Sequence, residues 1–325
     1  MTIFVKPLLI NSVFVHLNII YILFIVAFGS KVFSQEPLGY KEEVLTHTTA
    51  DNRYASYNDE GSKIIFESNR DGRWQIYLMD INGGHQKPLF KSTSNDRRPS
   101  WHPYKDMVLF ESDRTGVSEI YTYSFETHTI DKVPIGLEGD KSFARFAPNG
   151  VQVVFSHRAQ EGISDIYMCS NKGKRLKKII ANQHINVYPH FTPRGDNVIY
   201  FSNRNTQGEG HIIYAYNIIT KDRNRLSYFK DHSEYPNWSN IRGARVVYSA
   251  KVDDMEHSEI FIMQNDARNK TRVTFNDVDD ILPAWSPNDI NLLVTRYHKG
   301  HYQICKILLK EPLSDKNKPL HHQQL

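Results

Sequence analysis

Pro99-Ser100-Trp101-His102-Pro103 is one of six related phrases in this chain. The others are Ala55-Ser56-Tyr57, Ala144-Arg145-Phe146-Ala147-Pro148, Pro189-His190-Phe191-Thr192-Pro193, Pro236-Asn237-Trp238-Ser239-Asn240 and Pro283-Ala284-Trp285-Ser286-Pro287. Their aromatics (Tyr57, Trp101, Phe146, Phe191, Trp238 and Trp285) are spaced 44, 45, 45, 47 and 47 residues apart. A fixed period in that range signals a repeat architecture, and the period has to be read before any single element.

Each phrase opens the same series. A Gly- or Asn-bearing turn such as Pro148-Asn149-Gly150 supplies the backbone freedom a hairpin needs. An apolar strand follows, as in Ile64-Ile65-Phe66, Val108-Leu109-Phe110 or Val153-Val154-Phe155. A polar turn then leads to a third strand carrying Ile-Tyr or its equivalent, as in Ile76-Tyr77, Ile120-Tyr121 and Ile304-Cys305. A short, variable strand ends the unit. Four short antiparallel strands per repeat, six times over, predict an all-β, six-bladed β-propeller. One blade cannot bury both faces alone, so the repeated aromatics are read as packing between blades. Blade six holds only three strands, and Glu43-Val44-Leu45-Thr46 resembles the fourth-strand segment Thr271-Arg272-Val273-Thr274. The N-terminal strand is therefore expected to complete the last blade. Cys169 and Cys305 fall on third strands of opposite blades, on the order of 30 Å apart at normal strand spacing, so they are expected to be unpaired and buried.

The repeat resembles that of the TolB-like propellers, most clearly at Phe66-Glu67-Ser68-Asn69-Arg70-Asp71-Gly72 with Gln75-Ile76-Tyr77-Leu78-Met79-Asp80, and again from Phe110 to Tyr121. The likeness runs through all six blades, roughly residues 41 to 309. It implies a periplasmic protein that binds an outer-membrane lipoprotein through the propeller mouth. TolB also carries an α/β domain ahead of its propeller, for which this reading leaves no room.

The ends differ from the body. Lys6, an apolar run from Val13 to Phe28 and the Val32-Phe33-Ser34 end have the layout of a secretory signal peptide over residues 1–34. Leu8 to Phe28 is also long enough to serve as an uncleaved anchor, but His16 and Asn18 within it favour cleavage. The propeller is assigned to 35–310 and a polar tail to 311–325. Losing Lys6 and Lys31 takes the formal charge from +4 to +2, which does not suit nucleic acid. A periplasmic or extracellular monomer, with no membrane span after cleavage, is expected.

Catalytic signatures are missing: no Gly-x-Ser-x-Gly, His-Glu-x-x-His, Gly-x-x-x-x-Gly-Lys or Cys-x-x-Cys occurs. A non-catalytic scaffold that receives an envelope protein or peptide is therefore the leading reading. The rival is a metal-dependent polysaccharide lyase or hydrolase, because oligogalacturonate lyases use a TolB-like propeller with a histidine-bound metal; His190 and His232 would be its candidate ligands. The connections into the inner strands and the turns between second and third strands share one face of a propeller. Charges gather there: Asp51, Asp96, Arg97, Asp140, Glu234, Asp279 and Asp280 with His232 on the connections, and Arg70, Arg114, Arg158, Asp253 and Asp254 on the turns. Ordinary turn chemistry accounts for Asp71 and Asp113. The acids recurring before each phrase are expected to ring the channel mouth, where they can receive a basic peptide or a cation such as calcium. No other cofactor is expected.

Overall fold

The computed structural model describes residues 39–310 except 207–209 and 253–254. The expected signal peptide, the polar tail, Asp253 and Asp254 lie outside the described residues. Within them the chain forms six four-stranded antiparallel sheets, each running in chain order from an inner to an outer strand, with one exception in the last blade. The inner strands are Asn52–Tyr57, Asp96–Trp101, Asp140–Phe146, Asn186–Phe191, Glu234–Trp238 and Asp280–Trp285.

The second strands carry the core. Ile64-Ile65-Phe66, Val108-Leu109-Phe110 and Val153-Val154-Phe155 are fully buried on both faces, because a blade is covered on either side by its neighbours. Leu109 and Ile120 of blade two thus pack with Ala144, Phe146 and Phe155 of blade three. The phrase aromatics Phe146, Phe191, Trp238 and Trp285 are buried, as inter-blade packing requires, whereas Tyr57 and Trp101 are only partly so.

The last blade closes with the chain's beginning. Gly39–Val44 pairs antiparallel with His301–Leu309, setting Val44 against Cys305, and the Leu45 amide adds a 2.8 Å bond to the Ile304 carbonyl. The closing strand starts four residues earlier than Glu43-Val44-Leu45-Thr46 suggested, because its partner is nine residues long and offers pairing further back. Lys306 meets Glu43 at 2.8 Å across this seam. Cys169 and Cys305 are buried thiols without a disulfide. Burial pushes their pKa values up to about 11 and about 12, which keeps them protonated and unreactive.

Every inner strand breaks its ladder at the same place. Tyr54, Arg98, Phe143, Tyr188, Tyr235 and Leu282 have φ between 49° and 60°. At each of them the pairing with the second strand slips. A non-glycine residue in the left-handed region costs on the order of 1–2 kcal/mol, so six repetitions mark a fixed device of the blade. The proline that follows four of them needs no ladder hydrogen bond at a bulge. That explains how proline sits in these strands at all.

Candidate functional site

The inner strands begin on one face of the ring, the entry face, and end on the other, the exit face. On the entry face an arginine from the end of the second strand (Arg158, Arg296) or from the turn after it (Arg70, Arg114) reaches the first residue of the inner strand. Arg114 meets Asp96 at 2.9 Å, Arg158 meets Asp140 at 2.7 Å and Arg70 bonds Asn52 at 2.7 Å, each across 18 residues. Arg296 holds Asp280 with two bonds of 2.7 and 2.8 Å. Arg70 and Arg114 also lie over Tyr77 and Tyr121, 4.4 and 4.6 Å from the ring centres.

This arrangement divides the expected ring of acids. Asp96 and Asp280 are fully buried in their ion pairs and do not reach the mouth. Asp51, Asp140, Glu234 and Asp279 stay between 30% and 38% exposed, but each has a local partner. Asp51 accepts from the Tyr302 amide at 3.0 Å, Asp279 from the Ser258 amide at 2.8 Å, and Glu234 pairs with His211 at 2.5 Å. The Arg158 guanidinium holds the Asp140 carboxyl below its ordinary pKa. His232 is an exposed, left-handed residue on the loop into blade five. Of the ten expected residues, Arg97 and Asp140 do come together. With Arg98, Glu111, Asp113 and Arg158 they line an entry-face groove of about 540 Å³ across blades two to four.

At mid-depth the six left-handed residues turn into the channel. The rings of Tyr54 and Phe143, from blades that are not neighbours, lie 6.3 Å apart. Phe143 continues to Tyr188 at 5.7 Å and Tyr188 to Tyr235 at 5.4 Å. The Arg98 guanidinium sits over Phe143 at 4.3 Å. Its partner is Glu111, 2% exposed, at 2.5 Å. Burial disfavours the charge on Arg98, but the adjacent Glu111 carboxylate more than offsets this and raises its pKa. Glu67 and Glu111 also accept the backbone amides of Arg98 and Phe143, the bulge residues of the next blade. The two glutamates therefore satisfy donors that the bulges leave open. A charged residue in an otherwise apolar strand, as in Phe66-Glu67-Ser68, was the available sequence signal for them.

Below this plug a cavity of about 450 Å³ opens to the exit face and touches all six blades. Its walls include Trp101, Trp285 and Phe146. Its upper ring is the residue before each phrase aromatic: Ser56, Ser100, Arg145, His190, Asn237 and Ala284. The Arg145 guanidinium lies 5.6 Å from the centre of the Tyr188 ring. His190 bonds the Phe191 carbonyl at 3.0 Å, and burial together with Arg145 lowers its pKa to about 4, so it is neutral at pH 7.

The comparisons agree with this architecture. The family model described as TolB beta propeller domain matches residues 29–144, which reach through blades one and two to the inner strand of blade three. Over those residues the chain is similar to the TolB propeller domain. TolB from Acinetobacter baumannii superposes with a TM-score of 0.62 at 18% identity over 81% of this chain. The chain spans 64% of that protein's length. A TolB assignment from Agrobacterium tumefaciens gives 0.64 at 14% identity, over 82% of this chain and 93% of its own. An oligogalacturonate lyase in complex with manganese gives 0.59 at 14% identity, over 85% and 95%. These identities establish shared fold alone. No curated protein matches the chain in sequence. No three His, Cys, Asp or Glu side chains converge among the described residues, and His190 stands beside a guanidinium. Among the described residues, no helix is long and apolar enough to cross a membrane.

Proposed function

We propose that the protein is a non-catalytic binding scaffold of the cell envelope, periplasmic or extracellular and monomeric. It engages a protein or peptide at the entry-face mouth of its propeller. The observation that carries this reading is the groove lined by Arg97, Arg98, Glu111, Asp113, Asp140 and Arg158. Both signs of charge line it, and Arg97 has no carboxylate within 4 Å among the described residues; its guanidinium lies 5.1 Å from the centre of the Trp74 ring. Mixed, oriented charge of this kind selects a partner and sets its register. The TolB-type fold supports the same reading, since TolB resemblance implies capture of an envelope lipoprotein.

Affinity capture from the native envelope tests it. Arg97→Glu combined with Arg158→Glu is expected to lose the partner retained by the wild-type chain, with the melting temperature unchanged within a few degrees. Undiminished capture by this double variant would place the interaction elsewhere.

A further inference from the structure

The exit-face cavity is separate from the entry-face groove, and its chemistry points to a different ligand. Arg145 is the one Lys or Arg side chain among the described residues that line it. No carboxylate lies within 4 Å of that guanidinium among the described residues, and its bond to protein oxygen is a 3.2 Å contact with the Ala144 carbonyl. The cavity's only lining carboxylate, Asp59, is exposed at the rim. Three further lining groups are buried polar atoms without a hydrogen-bond partner: Ser56 Oγ, Tyr57 OH and Trp238 Nε1. Trp238 is only 4% exposed. These three atoms are themselves closed to solvent, so the Arg145 guanidinium is the cationic group that the cavity presents.

We infer that this cavity is a binding site for a small organic monocarboxylate with an aromatic or flat apolar body. The carboxylate would take the Arg145 guanidinium, which presents paired N–H donors in the geometry such a group accepts. The body would lie against Trp101, Phe146 and Trp285. A volume of about 450 Å³ belongs to the small-molecule range, not to that of a folded partner. One fixed positive charge balances a monoanion, whereas a doubly charged phosphate monoester would remain half compensated. The inference does not depend on the entry-face reading.

Three of the four tryptophans line the cavity, so intrinsic fluorescence reports its occupancy. The probes are 3-phenylpropionate, benzoate and cyclohexanecarboxylate, each titrated against its neutral amide. At least one acid is expected to give a saturable change, with its amide at least about tenfold weaker. Arg145→Gln is expected to erase that difference, Arg145→Lys to keep part of it, and Asp140→Asn on the entry face to leave it intact. Equal binding of acid and amide would overturn the inference. So would wild-type acid binding by Arg145→Gln, or no saturable response to any acid at about 10 mM. If Arg145→Gln loses its fold by circular dichroism, the acid–amide comparison on the wild-type chain decides.

Discussion

The two ends of the channel are made from the same six strands, yet they treat charge in opposite ways. Toward the entry face the buried carboxylates have arginine partners: Asp96 has Arg114, Asp280 has Arg296 and Glu111 has Arg98. Toward the exit face Arg145 stands among aromatic rings with no carboxylate beside it. The left-handed residue in mid-strand separates the two. Positions before it face the second-to-third-strand turns, whose arginines are long enough to reach back. Positions after it face the first hairpin, where Asp59, the one acid among the described residues that line the cavity, lies exposed at the rim. Charge compensation in this ring is therefore a matter of which side chains lie within reach, and Arg97 at one end and Arg145 at the other are left able to take charge from outside.

The sharpest way to break this contrast is to remove one charged group from each end. Glu111→Ala should cost about 3–5 kcal/mol, because it leaves Arg98 buried and unpaired and strips the Phe143 amide of its acceptor. Arg145→Ala should cost less than about 1 kcal/mol, since it abandons no buried counter-charge. Urea unfolding of both variants measures this, and comparable losses would mean the two ends are alike.

Acid should act next most strongly, and at the exit end. His190 has its pKa lowered to about 4 from an ordinary 6.5, so the unfolded chain takes up its proton first as the pH falls. The stability it contributes is complete above about pH 6.5 and is lost as the pH drops toward 4. The most it can amount to is about 3 kcal/mol. His190→Asn should flatten the urea midpoint between pH 7 and pH 4.5 relative to wild type. Parallel acid limbs would show that this histidine charges freely in the folded ring.

The smallest effect lies at the entry rim. Asp140 and Arg158 are 34% and 57% exposed, so Asp140→Asn should change stability by less than about 1 kcal/mol. Asp96→Asn, at a fully buried carboxylate, should cost about 2 kcal/mol. Thermal melts of the two variants side by side would test whether burial, and not the shared 18-residue spacing, sets the value of these pairs.

Much of this could be read from the repeat. The spacing of Tyr57, Trp101, Phe146, Phe191, Trp238 and Trp285 is enough for six blades, because each blade must present the same face to its neighbour. The placement of Cys169 and Cys305 followed from the same map. The acids were harder. Asp96 and Asp140 look identical as letters, and only the packing around Arg114 and Arg158 makes one buried and the other half-exposed. The plug was not legible either. Nothing in the letters Tyr54, Arg98 and Phe143 announces a left-handed backbone, a conformation imposed by the ring and held by Glu67 and Glu111. Apart from His190, the residue before each aromatic gives no signal in the sequence, because it varies. Ser56, Arg145 and Asn237 share a position and not a chemistry, as suits a lining that faces a ligand.

The seam sets an order of events for the chain. The Gly39–Val44 strand leaves the ribosome before any blade exists, while its partner, His301–Leu309, is made only after every other strand of the six blades. Every other strand finds its neighbour within its own blade, so local hairpins can form as synthesis proceeds. The first strand cannot. Its contacts, Val44 with Cys305 among them, wait for nearly the whole sequence. Loop-closure entropy grows only slowly with length, so the delay adds little to the thermodynamic cost of the ring. What it creates is an interval in which one strand is unpaired and the sixth blade has an open edge, and the chain is most exposed to wrong partners just before it becomes a circle.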